Sequence, residues 1–194
     1  MEHLVQQLDK FLVFFCLISL GSCQEQETVK LNFYNIQDIN LESQAGITSI
    51  DNQPINGLVY SLYSNKDTQY IQSYLNGKEH GLWKKYYDNG QLQEERRFTK
   101  GLKEGVLKGY WRDGELKLEY QLKNGVYHGI NRVWNPDGTL IQEMNYYNGK
   151  EQGSQKVWYN NGKIKSNYVV KDGRRYGLLG TKNCTNVKDT STIK

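Results

Sequence analysis

The sequence predicts an all-β fold: an elongated, single-layer antiparallel β-meander built of 24-residue hairpin repeats, with an irregular N-terminal cap and a short C-terminal tail. Three observations predict it: glycines at a fixed period, two turn signals in each period, and strand-length segments between the turns. With 194 residues, 37% of them hydrophobic, and a mean hydropathy of -0.77, the chain has too little apolar material for a thick core.

Glycines recur in three separate series, and each series has a step of 24 residues. The first series is Gly57, Gly81, Gly105, Gly129, Gly153 and Gly177, the second is Gly77, Gly101, Gly125, Gly149 and Gly173, and the third is Gly90, Gly114, Gly138 and Gly162. Series that hold one period without an insertion indicate an array of internal repeats. The first unit has Lys66 in place of the third-series glycine, a departure typical of terminal repeats.

Each repeat contains two turn signals, Asp88-Asn89-Gly90 and Asn76-Gly77 in the first full example. Asn-Gly and Asp-Gly predict two-residue hairpin loops, because both central residues of a type I′ turn need a positive φ. The segments between the turns are six to eight residues long, which suits strands and is too short for helices. We therefore predict a structural turn role with positive φ for Gly90, Gly114, Gly138 and Gly162.

The unit G-x-x-x-G-x-x-x-x-(Tyr/Trp)-x-x-x-G resembles the MORN repeat, and within that family the variant repeat of bacterial proteins labelled YwqK-type antitoxins. The resemblance covers residues 53–178. It implies an elongated, twisted, single-layer β-sheet, and the family label implies an antitoxin-like activity.

The N-terminus differs in composition from the rest of the chain. Phe11 to Leu20 is an uncharged apolar run of ten residues, too short for a membrane-spanning helix and of the length found in signal-peptide cores. The ending Leu20-Gly21-Ser22-Cys23 resembles a bacterial lipobox, whose cysteine is lipidated and becomes the first mature residue. We therefore predict lipidation of Cys23 and an exported, membrane-anchored lipoprotein of the bacterial cell envelope. An ordinary cleaved signal peptide and a buried helix in a cytosolic protein are the alternatives.

These patterns divide the chain into four segments. Residues 1–22 are predicted to be the lipoprotein signal peptide and 23–52 a linker with irregular N-terminal strands. Residues 53–178 are predicted to be the repeat array, and 179–194 a polar C-terminal tail.

Charge and cysteine content narrow the function classes. The full sequence has a net charge of +4, and its basic and acidic residues are interleaved without a basic block, so no nucleic-acid partner is expected. Cys16 would leave with the signal peptide and Cys23 would be acylated, which leaves Cys184 without a partner. A disulfide framework is therefore excluded.

The predicted hairpin register pairs opposite charges. If Asn89 and Gly90 form a two-residue loop, Lys84 lies opposite Glu95. The same arithmetic places Lys108 opposite Glu119 and Arg132 opposite Glu143. Such cross-strand pairs contribute roughly 0.2 to 1 kcal/mol each. We interpret these charges as setting the register on a solvated face, and a three-residue bulged loop would shift the pairing.

Two apolar columns are predicted on the opposite face, and a row of rings on the charged face. The columns are Leu92, Leu116, Leu140 and Ile164, and Phe98, Leu122, Tyr146 and Val170. The candidate binding face carries Tyr86, Tyr110, Trp134 and Trp158. With two strands per repeat, successive rings stand about 9.6 Å apart, a spacing suited to a protein, a peptide strand or a sugar chain. The alternative is that each ring packs on a glycine of the neighbouring repeat.

Catalytic and metal-binding arrangements are not expected. His80 and His128 occupy equivalent places two repeats apart, about 19 Å on this geometry, so one metal ion cannot use both. Glu94 and Glu95 are adjacent on a strand and point to opposite faces. No nucleophile-elbow, phosphate-loop or dinucleotide-binding spacing occurs, and no cofactor is expected.

The sequence favours a non-catalytic interaction array over an enzyme. The leading hypothesis is an envelope lipoprotein that binds a protein partner, antitoxin-like or immunity-like by family resemblance, and held at a membrane by its N-terminal lipid. The alternative is a glycan or cell-wall binding module that uses the aromatic row. The sequence does not identify the partner.

Overall fold

The structure, a computed structural model, describes residues 31–180. The predicted signal peptide, Cys23 and Cys184 lie outside this range. The described part consists of β-strands, turns and one short 3-10 helix at Ile36–Asp38. The strands are β1 (Phe33–Asn35), β2 (Leu41–Gln44), β3 (Ile47–Ile50), β4 (Gln53–Pro54), β5 (Gly57–Leu62), β6 (Thr68–Leu75), β7 (Lys78–Glu79), β8 (Gly81–Tyr86), β9 (Leu92–Thr99), β10 (Leu102–Lys103), β11 (Gly105–Tyr110), β12 (Leu116–Lys123), β13 (Val126–Tyr127), β14 (Gly129–Trp134), β15 (Leu140–Tyr147), β16 (Lys150–Trp158), β17 (Ile164–Lys171) and β18 (Arg174–Leu178).

One elongated sheet contains 15 of these strands, in the order β1-β5-β6-β8-β9-β11-β12-β14-β15-β16-β17-β18, with the short strands β7, β10 and β13 added beside β6, β9 and β12. The predicted antiparallel meander is confirmed from β5 onward. The first strand differs, because β1 pairs with β5 in parallel. The chain between them forms a separate three-stranded sheet, β2-β3-β4, and such a crossover is what a parallel pair requires.

The N-terminal cap provides the main apolar cluster. Ile55, Val59 and Tyr74 are buried at its centre, and half-buried side chains from the cap and from Trp83 pack against them. Two backbone hydrogen bonds join the cap to the first repeat, Thr48 N to Gly77 O (2.7 Å) and Gly77 N to Ile55 O (2.9 Å), and a third, Ile55 N to Thr48 O (3.1 Å), lies within the cap. The small sheet therefore covers the open end of the array.

The Asn-Gly turns have the predicted type I′ geometry. Asn76 has φ 51° and Gly77 has φ 74°, and the equivalent pairs, including Lys100-Gly101 and Asp172-Gly173, also have two positive φ values. The turns at Gly101, Gly125 and Gly149 also contact the preceding repeat. The Gly101 amide donates to Glu79 O at 2.8 Å, and the Gly125 amide donates to Lys103 O at 2.9 Å. These bonds couple successive repeats through the backbone.

The second set of turns differs from the two-residue prediction. Only Gly90 of the Asn89-Gly90 pair has a positive φ (80°), and Tyr87 closes a three-residue loop by donating to Gln91 O and accepting from Gly90 N. This is a type I turn followed by a glycine in the left-handed region. The Asn89 side chain accepts from Gln91 N at 3.2 Å, which favours this turn over type I′.

A β-bulge restores the register that the longer loop shifts. Tyr86 lies opposite Leu92 but Lys85 lies opposite Glu94, so Gln93 is an extra residue in β9. The loop moves the pairing by one residue and the bulge moves it back. Every other hairpin of this kind has the same irregularity. The predicted partners Lys84 and Glu95 therefore do face each other, through a loop and a bulge instead of a short loop.

The first glycine series bends the chain inside each repeat. β7 and β8 both pair with β6, and the pairing shifts by two residues where Gly81 (φ 86°) lies between them. Gly129 has φ 99°, and a Cβ there would collide with the Gln121 side chain. This bend separates the short arm of each repeat from its long hairpin.

Candidate binding face

A ladder of alternating charges crosses one face of the sheet, which we call the charged face. Its members, in spatial order, are Lys84, Glu95, Lys108, Glu119, Arg132, Glu143 and Lys156. The three pairs within hairpins are close: Lys84 Nζ to Glu95 Oε2 is 3.3 Å, Lys108 to Glu119 is 3.9 Å, and Arg132 Nε to Glu143 Oε2 is 2.8 Å. These three pairs within hairpins are the ones predicted from the sequence.

The ladder also continues between hairpins, which the sequence argument did not include. Glu95 lies opposite Lys108, Glu119 opposite Arg132, and Glu143 opposite Lys156. Each carboxylate therefore lies between two cations on neighbouring strands. The ladder ends beyond Lys156, where the next strand presents Asn167 and then Leu178. Because the signs alternate, this part of the face has no large surplus of either charge.

The predicted ring row lies on the same face, beside the ladder. Tyr86 follows Lys84 by two residues in β8, and side chains two apart on a strand share a face. Tyr110, Trp134 and Trp158 hold the same place in later repeats, and all four rings are half-buried. The structure thus places the four candidate residues in one row at the loop end of the long hairpins.

The leucine column predicted for the opposite face lies instead beside the ring row. Leu92 is the cross-strand partner of Tyr86, Leu116 of Tyr110, Leu140 of Trp134 and Ile164 of Trp158. Directly opposed residues share a face, so this part of the prediction is wrong. The cause is the bulge, which inserts one residue between Leu92 and the regular part of β9. The ring row and this aliphatic column together form a mixed apolar stripe.

The glycines of the first series do not receive the ring row. Their cross-strand partners are Tyr74, Phe98, Leu122, Tyr146 and Val170, opposite Gly57, Gly81, Gly105, Gly129 and Gly153. These partners lie on the opposite side of the sheet, which we call the inner face. Phe98, Leu122 and Val170 are 6 to 8% exposed. The second predicted column therefore faces the glycines, and the alternative in which the ring row covers them is wrong.

A second row of aromatic residues, one position after the ring row, was missed. The Tyr63 hydroxyl donates to Tyr86 O at 2.7 Å, and the Tyr87 hydroxyl donates to Tyr110 O at 2.9 Å. At the same position one repeat on, the Trp111 ring lies under the Lys117 ammonium, 4.4 Å from its centroid. The 24-residue spacing of Tyr63, Tyr87 and Trp111 was the available signal. The Tyr63 and Tyr87 side chains thus tie their loops to the next repeat, at the backbone of the ring row.

Two buried amide side chains were also missed. Gln155 is fully buried; its Oε1 accepts from Asn145 N at 3.0 Å and its Nε2 donates to Asn145 O at 2.8 Å. Asn131, 3% exposed, accepts from Gln121 N at 2.8 Å. Both supply hydrogen bonds to backbone near a glycine bend, where the strand ladder is interrupted. Sequence alone gave no signal for them, because Trp83 and Leu107 occupy the same position in other repeats.

Four tyrosines on the inner face have a raised pKa. Burial, with the nearby Glu79 carboxylate, raises the pKa of Tyr74 to about 12. Burial is also the main reason that the pKa of Tyr120, Tyr146 and Tyr168 is raised, and Glu151 adds to the effect at Tyr146 and Tyr168. These hydroxyls therefore stay neutral at physiological pH and act as hydrogen-bonding groups.

Groups considered for catalysis are used structurally. His80 Nδ1 accepts from Lys100 N at 3.4 Å, and the His128 ring packs 5.1 Å from the Tyr147 ring. Glu94 pairs with Arg96, whereas Glu95 pairs with Lys84 on the charged face. Within residues 31–180, no three His, Cys, Asp or Glu side chains form a cluster that could hold a metal ion. The two best-formed depressions, of about 260 and 300 Å³, are open to solvent.

The chain has a weak likeness to a solved structure. A crystal structure described as a GtfA/B complex bound to UDP and GlcNAc is similar over 72% of this chain and 24% of that chain, with 10% sequence identity and a TM-score of 0.23. The chain thus spans about a quarter of that protein, and at this TM-score the likeness carries no argument. No curated protein matches the chain. No helix among residues 31–180 has the length and hydropathy needed to cross a bilayer.

The family comparison matches the repeats themselves. The model of the MORN repeat variant matches residues 79–100, 103–124, 127–148 and 151–172, with a step of 24 residues. MORN repeats generally mediate protein or membrane interactions and are generally non-catalytic. The structure has that spacing in its hairpins, from the glycine bend through the ring row to the loop glycine. Residues 79–172 of this chain therefore match four tandem copies of the MORN repeat variant, and such repeats suggest a repeat-based binding or interaction module.

Proposed function

We propose that the array is the binding part of a membrane-tethered protein and that it captures a protein partner on the charged face. The observation that carries this proposal is the apolar stripe of ring row and aliphatic column beside the charge ladder. Tyr and Trp next to aliphatic side chains, bordered by charges of both signs, match the composition of protein interfaces. Because the charges alternate in sign along the ladder, it disfavours binding of a polymer that carries only one sign of charge.

The same stripe favours a protein partner over a glycan. Each ring has an aliphatic side chain as its cross-strand partner, Leu92 for Tyr86 and Leu140 for Trp134. A sugar site needs polar groups placed around the ring to fix hydroxyl positions, and this stripe supplies aliphatic ones. If no protein partner is captured, binding to a glycan array would test the glycan alternative.

The membrane tether rests on the N-terminal sequence. A lipid on Cys23 would leave the array attached through residues 24–30 and would place the charged face near other envelope proteins. A Cys23→Ser protein should lose metabolic labelling with a lipid precursor and leave the membrane fraction. Unchanged labelling or unchanged membrane association would reject the tether.

An antitoxin-like role fits this proposal in one form only. A lipidated protein would meet a toxin outside the cytoplasm, so the partner would be a protein toxin bound there, as in immunity. This part of the proposal rests on the family resemblance and not on a feature of the charged face.

Central rings give the sharpest test of the binding face. A photo-crosslinking residue at Trp134 should capture a protein that the same residue at exposed Tyr147, off the stripe, does not capture. With that partner purified, Tyr110→Ser with Trp134→Ser should abolish binding, because buried Tyr and Trp at interfaces often contribute about 2 kcal/mol or more each. Val126→Ser with Tyr147→Ser is the matched control.

Folding must be measured beside binding. Circular dichroism and the melting temperature of both double variants separate loss of the site from loss of the sheet. A folded ring variant that binds normally would remove the ring row as the site. If the ring variant unfolds while the control does not, the rings are structural and the crosslinking result alone decides the location.

A further inference from the structure

The C-terminal strand leaves a sheet edge without a partner among the described residues. β18 pairs with β17, and nothing within residues 31–180 pairs with its outer side. All five residues of β18 are exposed, including Tyr176 (55%) and Leu178 (49%). On the same face, Val169, opposite Tyr176, is 47% exposed. An exposed apolar edge strand is a template for pairing with another chain.

This edge is more regular than the strands in equivalent places. In the earlier repeats the glycine bend shifts the pairing by two residues, as between β6 and its partners β7 and β8, or between β15 and β16. Between β17 and β18 the register runs without a shift from Lys171-Arg174 to Asn167-Leu178. Bulges protect edges by twisting them away, and β18 lacks that protection.

The charge balance changes at the same end of the array. Residues 150–180 contain seven basic and two acidic side chains, whereas residues 31–149 contain thirteen basic and fourteen acidic. Lys171 and Arg174 are directly opposite each other at the edge, and Glu151 is already paired with Arg175 at 2.9 Å. The open strand therefore lies in a field of positive charge that the rest of the array does not share.

We propose that β18 binds an extended acidic segment of a protein partner by strand addition, with apolar residues at alternate positions of that segment. This site is separate from the ring row and goes beyond the function proposed above. The segment would extend the sheet by one strand. Arg174, Tyr176 and Leu178 share one face, so apolar side chains of the segment would cover Tyr176 and Leu178, and a carboxylate two residues further along the same face would approach Arg174 and Lys171.

The backbone has the groups that strand addition needs. Asp172 and Gly173 form a type I′ turn, so the adjacent pair Lys171-Arg174 is hydrogen-bonded and such pairs alternate along the hairpin. Arg174, Tyr176 and Leu178 therefore direct their backbone groups toward β17. Arg175 and Gly177 direct theirs outward, to the open side, where the added strand would bond.

A second copy of the chain is the main competing occupant. Residues 31–56 contain three acidic and no basic side chains, and β1 lies at the other end of the sheet. Head-to-tail pairing would therefore also join opposite charges. It is less favoured because β1 has only three residues, against five in β18.

The experiment uses capped synthetic octapeptides and the full-length mature chain. A Glu-Val peptide, with two valines two residues apart and glutamate at the other six positions, should bind in fluorescence anisotropy, and added salt should weaken the binding. A Lys-Val peptide, with lysine in place of each glutamate, should not bind. In an antiparallel pair the residues opposite Arg175 and Gly177 supply the backbone bonds, so a Glu-Val peptide with N-methylated glutamates keeps its charges, loses these donors and should also fail. Hydrogen exchange of the Arg175 and Gly177 amides should slow when the Glu-Val peptide binds.

Charge reversal locates the contact. Lys171→Glu with Arg174→Glu should weaken binding by about tenfold, the scale of two lost and reversed surface pairs. Lys85→Glu with Lys123→Glu makes the same change in net charge at exposed positions away from β18 and should leave binding unchanged. The exchange measurement needs no variant, so it decides the question even if the edge variant unfolds.

Three results would overturn the proposal. Equal binding of the N-methylated peptide would show attraction by charge alone. Absence of binding, or slowed exchange elsewhere in the array, would remove β18 as the site. Concentration-dependent oligomers of the protein alone, with slowed exchange at both Arg175 and Phe33, would assign the edge to a second copy.

Discussion

The two ends of the array fill the same interior position in different ways. Near the N-terminus, Trp83 packs 5.5 Å from the Tyr74 ring and 4.5 Å from the Phe98 ring, and its Nε1 donates to Ser73 O at 2.9 Å. Two and three repeats later the equivalent residues are Asn131 and Gln155, buried amides that bond to backbone. A large ring at one end and an amide side chain at the other thus both bond to the backbone where a bend interrupts the strand ladder.

The comparison separates what the repeat requires from what it tolerates. The two kinds of turn recur at both ends, because they depend on glycine and on the period. The interior filling can vary, because a one-layer sheet needs only a group that covers the bend and satisfies its free amide.

The apolar end should be the more sensitive to truncation. Trp83→Ala removes both ring contacts and the bond to Ser73 O, and should lower the free energy of unfolding by about 3 kcal/mol. Leu107→Ala, at the same position one repeat on, should cost less because fewer atoms are lost. Urea denaturation measures both, and equal losses would contradict the view that Trp83 is part of a larger cluster.

The polar end should depend on hydrogen bonds. Gln155→Leu keeps the volume but leaves Asn145 N and O without their side-chain partners, and should destabilise by about 2 kcal/mol. Gln152→Leu, an exposed neighbour, is the control and should have little effect. If the Gln155→Leu protein is as stable as the parent, an apolar side chain can occupy this position at either end of the array, and the hydrogen bonds of Gln155 are not required.

The loop glycines should behave alike at every repeat, and the first unit should improve. Gly138→Ala and Gly162→Ala place a Cβ in open space but at φ near 80°, so each should cost about 1 kcal/mol through backbone strain alone. Gly138→Asn should cost less, since Asn tolerates this region. Lys66, at φ 69°, already bears that strain, so Lys66→Gly should stabilise the protein. Thermal melts would detect each change.

Alkaline pH should weaken the N-terminal end. The pKa of Tyr74 is raised from 10 to about 12 in the folded protein, so the unfolded chain loses this proton first as pH rises. Stability should therefore be complete below pH 10 and fall between about pH 10 and 12. Tyr74→Phe should show a smaller fall over this range, and Tyr168→Phe, at the other end, should differ less from the parent. Denaturant midpoints at pH 9 and 11.5 give the comparison.

Sequence reasoning found the repeat, the strand lengths and the charge pairs, since these depend on local rules. Asn76-Gly77 formed the predicted turn because only residues that accept positive φ fit it. The pairing of Lys84 with Glu95 was predicted correctly, but from a two-residue loop. The loop has three residues, and the bulge in β9 cancels the register shift that the extra loop residue causes. Lipidation of Cys23 and the binding role of Tyr110 and Trp134 stay predictions.

The amino-acid sequence sets the period, the Asn-Gly turns and the charged face, because glycine, Asn-Gly and alternation act within a few residues. Three features depend on the tertiary structure: Leu92 lies beside Tyr86, the charge ladder continues from one hairpin to the next as far as Lys156, and Gln155 is buried. Each depends on a bulge or on contact between repeats, where the pairing of distant strands sets which side chains meet. Within residues 31–180, the unpaired edge of β18 has the same origin, because it lies where the described repeats end.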